Sequence, residues 1–299
     1  MAQTLRDCIK EITRQHLQQG NKIYGQCLTA VGWVGGTIPE LTEMDGIVEL
    51  SMADVAGGGI VVGAALAGIR PIYVVRYQGF QWFNSPIITN YAGKSREMWD
   101  IPCPIFIRSI AMEGGIGPVA GSSHHGIYLR MPGVKIASPM TPREYMDVYR
   151  TFMAGDVPVY VSEHRKSYNE TREAVNFYEE TPDITLFPFS ITRLEAERAR
   201  QYFEANNRAK VSLSHQVWIS PFLPSSKSIE SLKRSRFGVV LDDDYPNGAA
   251  KQIAYELMHI TGKPVHVLCI KEKTAGFQAH NDNLPPTAEE IIQFISSKL

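Results

Sequence analysis

Leu5, Ile9, Ile12 and His16 recur at helical spacing behind Thr4, with Arg6, Asp7, Lys10 and Glu11 between them. The pattern predicts an amphipathic N-terminal helix, not the unbroken apolar core of an export signal. Further on, segments rich in β-branched and aromatic residues (22–31, 46–50, 72–77, 104–110, 134–137 and 157–162) alternate with helical stretches. That rhythm predicts a mostly parallel sheet flanked by helices. Thr141-Pro142-Arg143-Glu144 supplies a cap, a proline suited to the first turn and a capping-box glutamate, so a helix is expected over 142–153.

The alternation lapses over 166–182, where Lys166, Asn169, Glu170, Arg172, Glu179 and Glu180 make an exposed linker the natural reading. It resumes with strand-like 184–189, 237–241 and 265–269 and helical 194–206 and 248–259, and Pro285-Pro286-Thr287 opens a last helix. The expected fold is α/β in two domains, each a mostly parallel sheet flanked by helices: residues 1–165, a linker 166–182, and a smaller domain 183–299. The longest apolar run, 57–69, is far shorter than the roughly 20 residues of a membrane span. A buried helix is expected there.

Charge narrows the function classes. With 30 basic and 31 acidic residues the net charge is -1, so neither a nucleic acid nor an anionic membrane is an expected partner. Cys8, Cys27, Cys103 and Cys269 are scattered with no CxxC, which leaves no disulfide framework or zinc knuckle and fits a cytoplasmic location. The histidines show no HExxH spacing, and no metal ligand is assigned in this chain.

The least ordinary stretch runs from Glu49 to Pro71. Asp54 stands at the mouth of a predicted helix whose Gly57, Gly58, Gly59, Gly63, Ala64, Ala65 and Ala67 permit close approach of another backbone or subunit. A dinucleotide fingerprint fails, because Val62 stands where GxGxxG needs its third glycine. Helix capping is the plain structural role for Asp54, and it is compatible with a chemical one. Tyr77, Phe80, Trp82, Phe83, Tyr91 and Trp99 cluster without a basic groove, and read as core and subunit-interface packing.

Gly63-Ala-Ala-Leu-Ala-Gly-Ile-Arg-Pro71, Tyr77-Gln-Gly-Phe80, Asn90-Tyr-Ala-Gly-Lys94, Pro104-Ile-Phe-Ile-Arg108, a glycine-rich loop 114–121, His124 and Met131-Pro-Gly-Val-Lys-Ile-Ala-Ser-Pro139 follow one another in register. Together they resemble the beta subunit of the thiamine-diphosphate-dependent decarboxylating component of 2-oxo acid dehydrogenases, within the transketolase-like superfamily. The likeness is densest over 45–165; the C-terminal part is similar mainly in layout and in Asp243-Asp244-Tyr245-Pro246-Asn247-Gly248 before a helix. It implies a pyrimidine-binding domain followed by a transketolase C-terminal-like domain.

The resemblance also implies that thiamine diphosphate is shared with an alpha-type subunit, which supplies the diphosphate and Mg2+ site, in an alpha2beta2 heterotetramer. This chain lacks the Gly-Asp-Gly metal motif: its only Asp-Gly, Asp45-Gly46, has neither the first glycine nor the loop. Carried over residue by residue, the cofactor-activating glutamate falls on Asp54. The aromatic residue against the aminopyrimidine falls on Phe80, with Tyr77 beside it. His124 matches a histidine that handles protons or substrate; His125 next to it and Arg76 are further substrate candidates. Aspartate is shorter than glutamate by about 1.5 Å of reach, and Glu49 is an imperfect substitute, off register. The implied reaction breaks or forms a carbon–carbon bond next to a carbonyl, on a small 2-oxo acid or a sugar. Alternatives are the C-terminal half of a split transketolase and a non-catalytic scaffold subunit.

Overall fold

The computed structural model describes residues 2–112, 117, 119–274, 278, 280 and 282–299, with Val31 described by its backbone only. These residues group into two compact units, one of residues up to 112 together with 127–173, the other of those in 113–126 together with 174–299. Residues 117 and 119–126, placed within 1–165 by sequence, therefore group with the second unit. The reason is polar: Ser123, His125 and Gly126 bond the Asp242–Asp244 turn.

In the first unit the strands are β1 (Ile23–Gly25), β2 (Ile47–Glu49), β3 (Ile72–Val75), β4 (Phe106–Ala111), β5 (Lys135–Ala137) and β6 (Val159–His164). They lie in the order β2-β1-β3-β4-β6-β5, and each neighbouring pair is parallel. Its helices are α1 (Leu5–Gln18), α2 (Ala30–Gly36), α3 (Asp54–Leu66), α4 (Gln81–Ile87), α5 (Gly93–Trp99) and α6 (Pro142–Ala154). The α1 capping box is complete, since Thr4 Oγ1 accepts from Asp7 N at 3.1 Å and Asp7 Oδ2 accepts from Thr4 N at 3.4 Å. At α6 only half of the expected box forms. Thr141 Oγ1 accepts from Glu144 N at 3.4 Å, but Glu144 takes Met140 N at 2.9 Å while Thr141 bonds Glu173 instead.

Two sequence expectations change. The segment 22–31 keeps only three strand residues before Cys27 turns at φ 55 and the chain enters α2. Helix α3 is not buried all round: Val61, Val62 and Ala65 face the core, while Val55 and Ile60 stay 54% and 52% exposed. Between α3 and β4, Pro86 sits inside α4 and a π-helical turn, Ile88–Ala92, leads into α5. Gly133 of Met131-Pro-Gly-Val has φ +87, and a side chain there would strike Gly93 O at 1.8 Å, so only glycine lets these segments meet.

An ion pair is sealed inside this sheet. Arg108 on β4 donates from Nε and Nη2 to the two oxygens of Glu163 on β6, at 2.7 and 2.9 Å, and Nη2 also reaches Thr37 Oγ1 at 2.9 Å. Glu163 further accepts from the hydroxyls of Tyr145 (2.7 Å) and Tyr168 (2.8 Å). Burial works against the Arg108 charge, but the Glu163 carboxylate outweighs it and holds the guanidinium pKa above its ordinary value. Beside it Phe106 packs on Tyr145, Tyr149 and Phe152, with ring centroids 5.2–5.8 Å apart.

The second unit has strands β7 (Ile184–Pro188), β8 (Val211–Leu213), β9 (Trp218–Ser220), β10 (Phe237–Leu241) and β11 (Val265–Leu268), and helices α7 (Thr192–Ala205), α8 (Ser226–Arg234), α9 (Ala249–Thr261) and α10 (Ala288–Ser296). A sheet of order β11-β10-β7-β8, parallel throughout, carries a core of Leu186, Phe203, Val239, Leu241, Ile291 and Ile295. The helix start at Pro285-Pro286-Thr287 is realised: Thr287 caps α10 in a full capping box with Glu290. Among the described residues no helix is long and apolar enough to cross a membrane.

Replacing Glu163 with Gln leaves Arg108 buried without its counter-charge. Urea unfolding should register a loss of about 3–5 kcal/mol; a loss below ~1 kcal/mol would mean that the pair is not the anchor inferred here. His16 gives a pH signature. Burial pushes its pKa down to about 4 from 6.5, so the folded chain favours the neutral ring, and its contribution is full above about pH 6.5 and lost as pH falls toward 4. His16→Gln should flatten the stability profile over that window.

Candidate functional site

Parallel strands gather their carboxyl ends on one edge of the sheet, the usual ligand edge of an α/β fold. At that edge the chain leaving β1 brings Gln26 and Cys27, the chain leaving β2 brings Met52 and Asp54, and the end of β3 brings Arg76 and Tyr77. With Phe80 they line a cavity of about 350 Å3. Four of the sequence candidates, Asp54, Arg76, Tyr77 and Phe80, thus share one pocket in the first unit. The Tyr77 and Phe80 rings lie 6.2 Å apart and tilted by 33°.

Asp54 does not cap α3. It is the first helical residue, Ala53 holds the cap position without a side-chain bond, and the carboxylate sits where the helix N-terminus favours negative charge. Its Oδ1 receives a long 3.4 Å contact from Asn84 Nδ2, which also donates to Phe80 O at 3.2 Å. Asn84 Oδ1 in turn accepts from the buried Tyr73 hydroxyl at 2.8 Å. Burial, then the Asp54 charge, pushes the Tyr73 pKa up and keeps that hydroxyl a donor. Asn84, which sequence reading missed, thus links Asp54 to Tyr73. Gly58 makes room for it, because a Cβ there would lie 2.9 Å from Asn84 Oδ1.

Glu49 is engaged elsewhere. Its oxygens accept from the backbone N–H groups of Leu28 (3.0 Å) and Thr29 (2.7 Å) and from the Thr29 hydroxyl (2.9 Å), so it ties β2 to the loop after β1. Arg76 lines the pocket and donates at 3.5 Å to Cys27 O. Gln26 also lines this cavity, and its Nε2 is buried with no hydrogen-bond partner among the described residues.

His124 and His125 belong to the second unit and differ sharply. His125 is wholly buried, with Nε2 2.9 Å from Asp242 Oδ1 and 3.9 Å from Asp244 Oδ2. Burial opposes its charge, yet Asp242 and its neighbours win and push the pKa up to about 10. Asp244 is pushed up to about 7, mainly by burial. His124 lies 3.2 Å from Ser122 Oγ and stacks on Tyr245 at 6.1 Å. Burial, with the His125 charge behind it, lowers its pKa to about 4, so it is a neutral imidazole at physiological pH and can accept a proton. The glycine-rich loop 114–121 lies largely outside the described residues. The aromatic group does not all enter the core: Trp82, Phe83 and Trp99 are 61%, 53% and 45% exposed.

Comparison with known proteins fits this geometry. Residues 29–171 match the transketolase pyrimidine-binding domain. Over most of its length the chain is similar to beta subunits of the pyruvate dehydrogenase E1 component. It is 24% identical to that of Staphylococcus epidermidis over 280 residues, 86% of this chain and 84% of the relative. The corresponding figures for Rickettsia conorii are 21% identity, 98% and 97%. A 2-oxoisovalerate dehydrogenase subunit beta of Bacillus subtilis is 26% identical over about half of each chain, 54% and 52%. Among solved structures, a transketolase from Campylobacter jejuni matches with TM-score 0.76 at 14% identity, over 99% of this chain but only 47% of its own. This chain therefore spans about half of that enzyme. A split gene transketolase, described as an inactive beta4 tetramer, matches with TM-score 0.72 at 13% identity over 99% and 98%. The chain is thus similar to the transketolase pyrimidine-binding domain over residues 29–171 and, along most of its length, to E1 beta subunits.

Gly58→Ala should push Asn84 off Asp54 and Tyr73 at a cost of about 1–3 kcal/mol, read by chemical denaturation. An unchanged midpoint would show that Asn84 is not held by this close approach.

Proposed function

We propose that this chain is the beta-type subunit of a heteromeric thiamine-diphosphate-dependent enzyme that breaks or forms a carbon–carbon bond next to a carbonyl, with 2-oxo acid dehydrogenase-like chemistry. The observation that carries the reading is Asp54, a carboxylate at a helix N-terminus, facing a cavity walled by Phe80 and Tyr77. The residues fit an aminopyrimidine: a carboxylate for a ring nitrogen, aromatic faces for the ring, and the orphaned Gln26 amide as a further donor. They do not supply a diphosphate and Mg2+ site, since the chain has no Gly-Asp-Gly motif. An alpha-type subunit is assigned that part, in an alpha2beta2 assembly. The exposed Trp82, Phe83 and Trp99 support burial against another chain.

When bound, thiamine diphosphate supplies the nucleophilic carbon that adds to a substrate carbonyl. Asp54 is assigned to hold a proton at a pyrimidine ring nitrogen, Asn84 to steer its carboxylate, and Phe80 and Tyr77 to orient the ring and exclude water. Arg76 is assigned to an anionic substrate group. His124, neutral and partly accessible, is assigned to move protons or bind substrate, whereas His125, sealed against Asp242, is left to fix the loop. The likeness to a split gene transketolase keeps ketol transfer between sugars as the second reading; turnover with a lipoyl carrier rather than with sugar phosphates would decide against it.

Calorimetric titration of thiamine diphosphate with Mg2+ should give tight binding only in the complex with the alpha-type partner; tight binding to this chain alone, or none in the complex, would overturn the split-site reading. Asp54→Ala should lower kcat by about 100-fold or more with the complex intact by size-exclusion chromatography, and Asp54→Glu should preserve or raise it. Unchanged turnover in Asp54→Ala would point to a scaffold subunit instead.

A further inference from the structure

The Asp242-Asp243-Asp244 run at the end of β10 has a role that the cofactor pocket does not explain. One nitrogen of His125 and one oxygen from each of Asp242 and Asp243 lie within 4.8 Å of one another, and all three residues are buried. Asp242 Oδ2 and Asp243 Oδ1 are sealed from solvent and have no hydrogen-bond partner among the described residues. The rest of the cluster is tied down: Asp243 Oδ2 accepts from the hydroxyls of Ser123 at 2.6 Å and Ser190 at 2.9 Å, and Asp244 accepts from the backbone N–H groups of Gly126 and Tyr245, each at 2.7 Å. Two oxygens are therefore held in place with nothing to bind, a costly arrangement in a dry interior.

We propose that His125, Asp242 and Asp243 form a binding site for a divalent first-row transition metal in the second unit. The spacing suits ligation. Two metal–ligand bonds of about 2.1 Å set their donor atoms about 3.0 Å apart in an octahedron and about 3.4 Å apart in a tetrahedron; His125 Nε2 stands 2.9 Å from Asp242 Oδ1, and all three donors lie within 4.8 Å. A nitrogen with two carboxylates is a mixed donor set, which favours Zn2+ or Mn2+ over the all-oxygen shells of Mg2+ and Ca2+. Binding displaces the proton shared between Nε2 and Asp242, which leaves to solvent, and the cation then balances carboxylates that a single imidazole cannot. The Ser123 and Ser190 hydroxyls act as the outer partners that orient Asp243. Such a metal would pin the 123–126 stretch to the β10 turn without touching the cofactor.

The test uses the full chain, without thiamine diphosphate or partner, after EDTA dialysis. Mn2+ uptake by equilibrium dialysis should reach one ion per chain, and electron spin echo modulation should detect a directly bound nitrogen that vanishes on 15N labelling of histidine in favour of the 15N pattern. Asp243→Asn should weaken uptake at least about 100-fold. Should that variant fail to fold, the nitrogen signal of the unmutated chain decides alone. No uptake, or uptake without nitrogen coupling, would overturn the site and assign the balancing of the cluster to protons. Because neither arm contains thiamine diphosphate, failure here is separate from failure of the cofactor reading.

Discussion

Every strand pairing described within the first unit is parallel, and most of what the site can do follows from that constraint. Parallel strands must be joined by crossovers, so each strand end on one edge becomes the start of a loop or helix. Residues as distant in sequence as Gln26, Asp54 and Tyr77 arrive at the same cavity for this reason. The sheet fixes where the chemistry can be placed; the turns after β1, β2 and β3 decide what it is.

Both units hide charge, and they handle it differently. In the first, Arg108 and Glu163 meet two-pronged, with two tyrosine hydroxyls on Glu163 and Thr37 on Nη2, while Arg108 Nη1 has no hydrogen-bond partner among the described residues. That pair binds β4 to β6 beyond their backbone ladder and fixes one rotamer for each side chain. In the second, one histidine faces three consecutive aspartates, and negative charge is in surplus. A charge matched one to one, as in the first, is structural; a surplus of the second kind asks for a counter-ion or a proton.

Periodicity made the α/β character, the parallel sheets and the capped helices α1, α6 and α10 legible, because capping and alternation are local chemistry. The pocket at the strand ends could be read only through register: Asp54, Phe80 and Tyr77 are unremarkable until a resemblance aligns them. Asn84 and Gln26 escaped notice because an amide gives no sign of burial in sequence. The histidine pair looked interchangeable, and only the fold separates His125, buried on Asp242, from His124, which stacks on Tyr245. Glu49 read as a spare carboxylate because its use, accepting two backbone N–H groups of a neighbouring turn, depends on the β1–β2 pairing. Helix α3 looked buried from composition; Gly57 and Gly58 do face inward, while Val55 and Ile60 stay exposed.

The stretch 123–126 belongs to the second unit, yet it is translated before β5 and β6 of the first. Gly126 meets Asp244 across a separation of 118 residues, and Ser123 meets Asp243 across 120. On the ribosome those four residues must wait as a detour in a nascent first unit until the β10 turn has emerged. Each unit is built from two separate stretches of chain, so the last contacts of the second unit close only late in synthesis.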